Sequence, residues 1–390
     1  MQTKRCIFAR SGKWKESMNG NAGEFRIAVI GAGVIGLAVA ERLSKRYRDI
    51  VLLERNDSFG RETSSRNSEV IHGGIYYPPG SLKAVLCREG NRLLYERCAR
   101  EGIAHGKPGK IVVACTREEE EDLFAIQRDA ALNGVPLDLL SEGEIRKREP
   151  LVRARTGLFS SATGIVDSHG LMKNLLFHGS QQGVVQAFRA AVTAVRPDGG
   201  GYVLEVNDRE YRLRTRVLVN CAGLHASRIA ALAGIDVAAK GYAVRYCKGS
   251  YFRPSPSPRL NHLVYPVPSG KREGLGIHAT IDLAGQVRFG PDVEYVDRID
   301  YAIDERKGEA FRESVRVYLP SIAEADLHAD LCGIRPKLQG PGEPFRDFVI
   351  REESDSGLPG LINLIGIESP GLTASPAVAE RVASLVEACL

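Results

Sequence analysis

The chain has 390 residues, 43% of them apolar and 26% charged, and Lys and Arg outnumber Asp and Glu by 53 to 48. These values are ordinary for globular proteins and exclude the disordered and fibrous classes, while the length predicts two to three domains. The first 24 residues, with five basic and two acidic residues, hold most of the small charge excess. Because basic residues are not clustered elsewhere, no nucleic-acid partner is predicted.

Cysteine and histidine spacing bears on metal binding. The eight cysteines form no CxxC pair and the eight histidines form no HxxxH pair, so we expect free thiols in a reducing compartment and no metal site. The longest uncharged apolar run, residues 27–40, has 14 residues. A membrane span needs roughly 18 or more. No transmembrane span is therefore predicted, and peripheral contact with a membrane stays open.

The basic segment 1–24 has two interpretations. The preferred one is a basic tail on a cytoplasmic protein, with Met18 as an alternative start. The other is a mitochondrial presequence, since presequences are rich in Arg and poor in acidic residues. The predicted location is therefore cytoplasmic, with a mitochondrial location as the alternative.

Hydrophobic periodicity changes along the chain. It first predicts strands over 25–30, 50–53 and 110–115, a loop over 62–74, and helices over 34–46, 82–101, 118–134 and 168–182. It then predicts strands over 191–196, 202–207, 211–219, 262–268, 274–281 and 286–290, and a helix over 306–319. Asp167 or Ser168 is expected to cap helix 168–182, and Ser375 and Pro376 are expected to be the N-cap and first residue of the last helix.

A glycine motif follows the first predicted strand. Gly31, Gly33 and Gly36 form a GxGxxG sequence at the start of a helix, and Glu54 ends the next strand. In dinucleotide-binding folds these glycines make a tight turn, admit a pyrophosphate and let the helix pack on the strand, and the acid binds ribose hydroxyls. The sequence contains no second GxGxxG, so a single dinucleotide would have to serve as the redox centre.

Residues beyond this motif resemble a known family. Residues 63–68 (TSSRNS) and 72–77 (HGGIYY) are similar to the second FAD motif of the D-amino-acid-oxidase-like flavoprotein superfamily. Within it, the run SSRNSEVIHGGIYYPPGSLKA resembles the L-2-hydroxyglutarate dehydrogenase branch. The resemblance extends over about residues 25–390 through the segments 164–169, 219–223, 248–252, 276–280, 289–292, 333–337 and 366–373.

The resemblance implies an α/β plus antiparallel β fold, in which a Rossmann-like FAD-binding domain is interwoven with an antiparallel-sheet substrate domain. We assign 25–100, 150–235 and 325–390 to the first domain, and 101–149 and 236–324 to the second. The cofactor is expected to be FAD. Its predicted binding residues are Gly31, Gly33, Gly36, Glu54, Ser64, Ser65, Asn67, Ser68, Gly73, Ala222, Gly223, Gly371, Leu372 and Thr373.

The activity implied by the resemblance is oxidation of L-2-hydroxyglutarate, a small 2-hydroxy acid, to 2-oxoglutarate. One alternative is a related flavin enzyme acting on glycerol 3-phosphate or an amino acid. Another is a non-catalytic FAD-binding assembly protein. The electron acceptor stays open among a quinone, another carrier and oxygen.

The chemistry needs a carboxylate clamp and a base. Arg335 lies in a motif that resembles the one placing an arginine over the flavin, and a guanidinium grips a carboxylate bidentately. His278 and His72 are both candidates for the base, and His72 could alternatively carry covalent flavin. The remaining substrate-binding candidates are Tyr251, Lys248, Lys337 and Tyr76. The segment 369–373, which leads into the last helix, is expected to stabilise negative charge on the reduced flavin.

Overall fold

The computed structural model describes residues 23–268 and 276–390. Residues 1–22 of the predicted basic tail, and Gly274 and Leu275 of a predicted strand, lie outside the described residues. The α-helices are α1 (Val34–Ser44), α2 (Leu82–Glu101), α3 (Arg117–Leu132), α4 (Glu142–Arg148), α5 (Ser168–Gln181), α6 (Ala226–Leu232), α7 (Lys307–Val315) and α8 (Gly371–Cys389).

The strands are β1 (Gly23–Ile30), β2 (Ile50–Glu54), β3 (Val70–Ile71), β4 (His105–Gly106), β5 (Lys110–Ala114), β6 (Asp138–Ser141), β7 (Thr156–Ser160), β8 (Gly164–Val166), β9 (Val185–Phe188), β10 (Val192–Asp198), β11 (Gly201–Val206), β12 (Tyr211–Asn220), β13 (Arg245–Ser255), β14 (Leu263–Pro266), β15 (Ala279–Ile281), β16 (Val287–Phe289), β17 (Glu294–Val296), β18 (Asp326–Lys337), β19 (Val349–Glu353) and β20 (Leu358–Ile365). They form two large sheets, called sheet I and sheet II below, and a small sheet of β3, β8 and β4.

Sheet I has the order β10-β11-β12-β1-β2-β9, and β20 joins it beside β12. Strands β12, β1, β2, β9 and β20 run parallel, so their carboxyl ends meet at one edge. Alternate residues of β1 enter different cores: Ile27 and Val29 pack with α1, α2, α5 and α8, whereas Ala28 and Ile30 pack on the side of α6. Burial on both faces explains the continuous apolar runs of residues 27–30 in β1 and 50–53 in β2.

Sheet II has the order β17-β13-β16-β15-β14-β5-β7-β6, and β18 pairs with β13 over almost its whole length. Most neighbours are antiparallel, as predicted, but β14 and β5 run parallel, so the sheet is mixed. The domain bounds stay a prediction. Two strands that those bounds assign to the FAD-binding domain, β7 and β18, are hydrogen-bonded into sheet II.

Several predicted elements are confirmed within a few residues. Helix α2 has the predicted bounds, and Asp167 caps α5 by accepting a bond from the Gly170 N–H. A two-residue turn joins β10 to β11, with Gly199 and Gly200 at positive φ. None of the described helices is long and apolar enough to cross a membrane.

The predicted start of the last helix is wrong. Helix α8 begins at Gly371, and Pro376 lies inside it rather than at its first position. Pro376 cannot donate to the Leu372 carbonyl one turn earlier. The Ser375 hydroxyl donates to that carbonyl instead, at 2.9 Å. The two residues that resembled a helix start therefore compensate each other within the helix.

Gly36 controls how closely α1 packs on sheet I. A Cβ at this position would collide with the backbone carbonyl oxygen of Gly31, which cannot rotate away. We expect Gly36→Ala to lower the free energy of unfolding by about 1–3 kcal/mol or more, as overpacking does elsewhere. Urea unfolding followed by circular dichroism measures this loss.

The matched control is Gly143→Ala in α4, where an added Cβ meets no atom within 4 Å. The free energy of unfolding of this variant should be unchanged, or higher by up to about 1 kcal/mol, because alanine is a better helix former than glycine. Equal unfolding curves for the two alanine variants would contradict the packing account.

Candidate active site

A cavity of about 430 Å³ lies where the carboxyl ends of the parallel strands of sheet I face sheet II. Open parallel sheets bind ligands at this kind of edge. The predicted site residues that line the cavity are Gly31, Gly33, Glu54, Ser64, Asn67, Ser68, His72, Tyr76, Ala222, Gly223, Tyr251, His278, Arg335, Lys337, Gly371 and Leu372. In the described part of the chain, no group of His, Cys, Asp and Glu residues is arranged to hold a metal ion.

One end of the cavity is built by the turn after β1. Gly31 has a φ of +102°, and a Cβ there would lie 2.5 Å from the Cys221 carbonyl oxygen, so only glycine fits. Gly33 precedes α1 in extended conformation and faces the cavity. Glu54 accepts a bond from the Ala32 N–H at 2.8 Å and also lines the cavity. A helix N-terminus and a fixed carboxylate therefore face the same space, as a dinucleotide requires.

The loop after β2 closes over this turn. The Ser64 hydroxyl accepts a bond from the Val34 N–H at 3.0 Å, at the start of α1. Asn67 donates to the Ser64 carbonyl at 2.8 Å. The Thr63 hydroxyl donates to the Ile334 carbonyl at 2.9 Å, which ties the loop to β18. These bonds hold the residues of the second predicted FAD motif between sheet I and sheet II.

Helix α8 presents its N-terminus to the cavity through Gly371 and Leu372. Thr373 is fully buried and does not line the cavity, but its hydroxyl accepts a bond from the His72 N–H at 2.9 Å. The Ser369 hydroxyl lies 3.1 Å from Nε2 of His72. The segment before the helix therefore sets the position of the His72 imidazole.

The imidazole of His72 is strongly biased toward its neutral form. Burial, together with the positive charge of Lys110, lowers the pKa of His72 to about 3. The ring therefore stays neutral throughout the usual working range of pH. A neutral imidazole can accept a hydrogen bond or a proton. With a pKa this low, however, the protonated ring is scarcely populated near neutral pH.

His278 lies directly before β15 rather than in the middle of a strand as predicted. It is 6% exposed and lines the cavity. Its ring stacks on that of Tyr265, with centroids 3.5 Å apart and planes 10° apart. The stack restricts the imidazole to one plane at the cavity wall.

Arg335 and Lys337 lie two residues apart on β18, and both line the cavity, in keeping with the period of a strand. Nη2 of Arg335 donates to the carbonyl oxygens of Asp292 at 2.7 Å and Lys248 at 3.2 Å. Nε donates to the Cys247 carbonyl at 3.4 Å. The guanidinium is therefore fixed by neutral backbone groups, and its charge is not cancelled by these bonds.

Sequence reasoning missed an ion pair in the same wall. Lys83 on α2 and Glu368 are 2.8 Å apart, line the cavity and are only 7% and 10% exposed. Burial alone would raise the pKa of Glu368, but the charges of Lys83, Lys337 and Arg335 hold it below its usual value. Both residues lie in motifs that carried the family resemblance, which was the available signal. Three cations thus surround one carboxylate.

Five predicted site residues do not line the cavity: Gly36, Ser65, Gly73, Thr373 and Lys248. Gly36 supports the turn from behind, and the Ser65 hydroxyl donates to the Glu62 carbonyl. A Cβ on Gly73 would lie 2.7 Å from the Ser160 hydroxyl, so this glycine packs against β7.

Lys248 is the clearest correction among the substrate-binding candidates. On β13 its neighbours Gly249 and Tyr251 line the cavity, and Lys248 itself does not. Because side chains alternate along a strand, Lys248 and Tyr251 cannot both face the cavity. Lys248 is buried on the other face.

Comparison with known proteins identifies the class of fold. The family model for FAD dependent oxidoreductases (DAO) matches residues 26–385. The mitochondrial L-2-hydroxyglutarate dehydrogenase of Arabidopsis thaliana is 39% identical over 402 residues, covering 91% of this chain and 82% of the relative. The L-2-hydroxyglutarate dehydrogenase of Salmonella houtenae is 28% identical and covers 93% of both chains. A solved structure of the L-alpha-glycerophosphate oxidase of Mycoplasma pneumoniae with FAD bound, 25% identical, superposes with a TM-score of 0.82 over 93% of this chain and 95% of its own.

Gly33 provides the direct test of the cofactor cradle. A Cβ there would lie 2.9 Å from the Ser64 hydroxyl, and the methyl groups of valine would extend into the space before α1. We expect Gly33→Val to fold but to lose FAD on gel filtration, read from the absorbance of the flavin. Gly143→Val, at an open position of α4, should keep its FAD. Stoichiometric FAD in Gly33→Val would show that the cofactor lies elsewhere.

Proposed function

We propose that this chain, which belongs to the DAO family of FAD-dependent oxidoreductases, oxidises L-2-hydroxyglutarate to 2-oxoglutarate. The cofactor is FAD. The observation that carries the choice of substrate is the group of cavity-lining cations, Lys83, Arg335 and Lys337, around Glu368. Its net charge of about plus two matches a substrate with two carboxylates, because carboxylates bound in the cavity would pair with these cations. The names of the relatives support the same substrate.

The glycine turn after β1, Glu54 and the N-terminus of α8 all line the cavity and fit FAD. Gly31, Gly33 and the N-terminus of α1 would receive the pyrophosphate, and Glu54 would accept bonds from ribose hydroxyls. The N-terminus of α8 at Gly371 would face the isoalloxazine ring and favour negative charge on it. When bound, FAD accepts the hydride that leaves C2 of the substrate.

The cations would orient the substrate through its two carboxylates. Nη1 of Arg335 would bind the carboxylate next to the hydroxyl-bearing carbon, since Nε and Nη2 already donate to three backbone carbonyls that fix the guanidinium. Lys83 or Lys337 would receive the distal carboxylate. Two fixed charges define the direction of the chain between them, which supplies the orientation that the reaction needs.

A base must take the proton of the C2 hydroxyl. His278 is proposed for this role, because its ring is held at the cavity wall by Tyr265. His72 is the alternative. Its low pKa favours instead a neutral imidazole that positions other groups through Ser369. Tyr76 and Tyr251 also line the cavity, where their rings would exclude water around the reacting carbon.

The electron acceptor and the location of the protein are the remaining parts of the proposal. A quinone, another carrier or oxygen would each reoxidise the flavin. For the location, we keep the cytoplasm as the proposal. The basic segment 1–24 and the mitochondrial plant relative support the alternative of mitochondria.

Anaerobic titration of the FAD-loaded enzyme tests the substrate. L-2-hydroxyglutarate should bleach the flavin, whereas glycerol 3-phosphate and glycine should not at the same concentrations.

Arg335→Lys keeps the charge but loses the planar fork. We expect its kcat/KM to decrease. The expected loss of transition-state stabilisation is about 2–5 kcal/mol, as for disruption of a buried charge pair. Bleaching by glycerol 3-phosphate alone, or normal kinetics of Arg335→Lys, would refute the respective assignment.

Stopped-flow reduction separates the two histidines. If His278 is the base, His278→Asn should slow flavin reduction by about 10²–10⁴-fold and leave the oxidised spectrum intact. His72→Asn should instead change flavin affinity, spectrum or redox potential. The opposite pattern would exchange the roles, and full-speed reduction in both variants would exclude both residues as the base.

A further inference from the structure

Lys110 opens β5 and is only 1% exposed. Its ammonium nitrogen lies 4.5 Å from the ring centroid of Tyr76 and 4.5 Å from that of Tyr265. Among the residues that the structure describes, no carboxylate forms an ion pair with it. A buried ammonium is costly without compensation. Here the negative faces of two aromatic rings provide it through cation–π attraction.

The two rings connect Lys110 to the candidate active site. Tyr76 and Tyr265 both line the cavity, whereas Lys110 lies behind them. Tyr265 also stacks on His278, at 3.5 Å between centroids. Lys110 is therefore separated from the proposed base by a single aromatic ring, and that ring is in contact with both.

We propose that Lys110 is a positioning residue, whose positive charge holds the rings of Tyr76 and Tyr265 and, through Tyr265, fixes the imidazole of His278 at the cavity. Lys110 itself touches no reacting atom. The inference rests on the proposed function only for the substrate used in its kinetic test.

The surroundings of Lys110 make its charge depend on pH. The titratable groups that face it are Tyr76, Tyr265, Cys87 of α2 and His72. Burial raises the pKa of Cys87 to about 12 and the pKa values of both tyrosines above their ordinary value, and that of His72 is lowered. None of these groups is therefore charged near neutral pH. Burial lowers the pKa of Lys110 itself to about 7.

The direction of the effect follows from these pKa values. Below about pH 7 Lys110 is charged and attracts both rings, and above it the attraction is lost. A substrate with two negative charges favours the charged lysine. The second-order rate reports the free enzyme, whereas the limiting rate of flavin reduction reports the enzyme with substrate bound. The limiting rate should therefore begin to fall at a higher pH than the second-order rate.

Anaerobic stopped-flow reduction of the FAD-loaded enzyme by L-2-hydroxyglutarate across the pH range tests the proposal. The second-order rate of the wild type should fall as the pH rises through about 7. Lys110→Met keeps an apolar side chain without the charge. At low pH its second-order rate should be roughly ten- to a hundredfold below that of the wild type. This rate should not fall further as the pH rises. Lys110→Arg carries a permanent charge that stacks on aromatic faces, so it should stay fast at high pH.

The matched control is Lys107→Met. Lys107 is an exposed lysine 5.0 Å from the Tyr95 ring, and its variant should keep the wild-type profile. A Lys110→Met rate reduced by the same factor at every pH would indicate a merely structural role and overturn the proposal. So would a wild-type rate without the fall. If Lys110→Arg does not retain FAD, the wild type and Lys110→Met are compared alone. A ratio of their rates that is the same at every pH would again overturn the proposal.

Thermal unfolding of the same FAD-loaded proteins gives a readout without substrate. Between about pH 7 and the ordinary lysine value of 10.5, the unfolded chain binds a proton on Lys110 that the folded chain does not. Wild-type stability should therefore rise with pH relative to Lys110→Met, so the Tm of the wild type minus the Tm of Lys110→Met should increase between about pH 7 and 10.5.

A Tm difference that does not change with pH would overturn the proposal whatever the substrate is. If the wild-type Tm rises with pH relative to Lys110→Met but L-2-hydroxyglutarate does not bleach the wild-type flavin, the substrate assignment fails and the charge dependence of Lys110 stands. The two failures are therefore distinguishable.

Discussion

The close approach of backbone to backbone after β1 is the constraint on which the cofactor cradle depends. Gly31 packs on the Cys221 carbonyl, and Gly36 of α1 packs on the Gly31 carbonyl. Any side chain at either glycine would separate α1 from the ends of β1 and β12. That separation would move the helix N-terminus away from Glu54 and widen the cavity at the end where a pyrophosphate must be gripped.

The proposed substrate-binding part of the cavity depends on an excess of positive charge in its lining. Lys83, Arg335 and Lys337 come from two elements and surround the single carboxylate of Glu368. Nε and Nη2 of Arg335 donate to backbone carbonyls, which fix the side chain without neutralising its charge. A dianionic substrate would complete this arrangement, and the proposed need for two negative charges would then distinguish it from substrates with one.

The sequence predicted the features that depend on short-range patterns. The GxGxxG turn with Glu54 and the bounds of α2 follow from local signals, and so does the shared face of Arg335 and Lys337. The Ser375–Pro376 pair was misread because the same two residues suit a helix start and a compensated helix interior. For Lys248, the sequence did not tell which face of β13 meets the cavity.

Long-range contacts could not be predicted. Lys83 and Glu368 are 285 positions apart in the chain, and the aromatic pair around Lys110 comes from two distant segments. Each of these contacts depends on how sheet II is oriented against sheet I, and no local pattern determines that orientation. Lys110 illustrates the difficulty, because at the start of an apolar strand a lysine is expected to reach solvent.

Lys83, Arg335 and Lys337 are proposed to orient a dicarboxylate in front of the flavin. A crystal structure of the FAD-loaded enzyme with 2-oxoglutarate tests this proposal most directly. The account predicts one product carboxylate within about 3 Å of the Arg335 guanidinium, the other on Lys83 or Lys337, and the C2 oxygen within hydrogen-bond reach of a histidine. A product bound with neither carboxylate on these cations would contradict it.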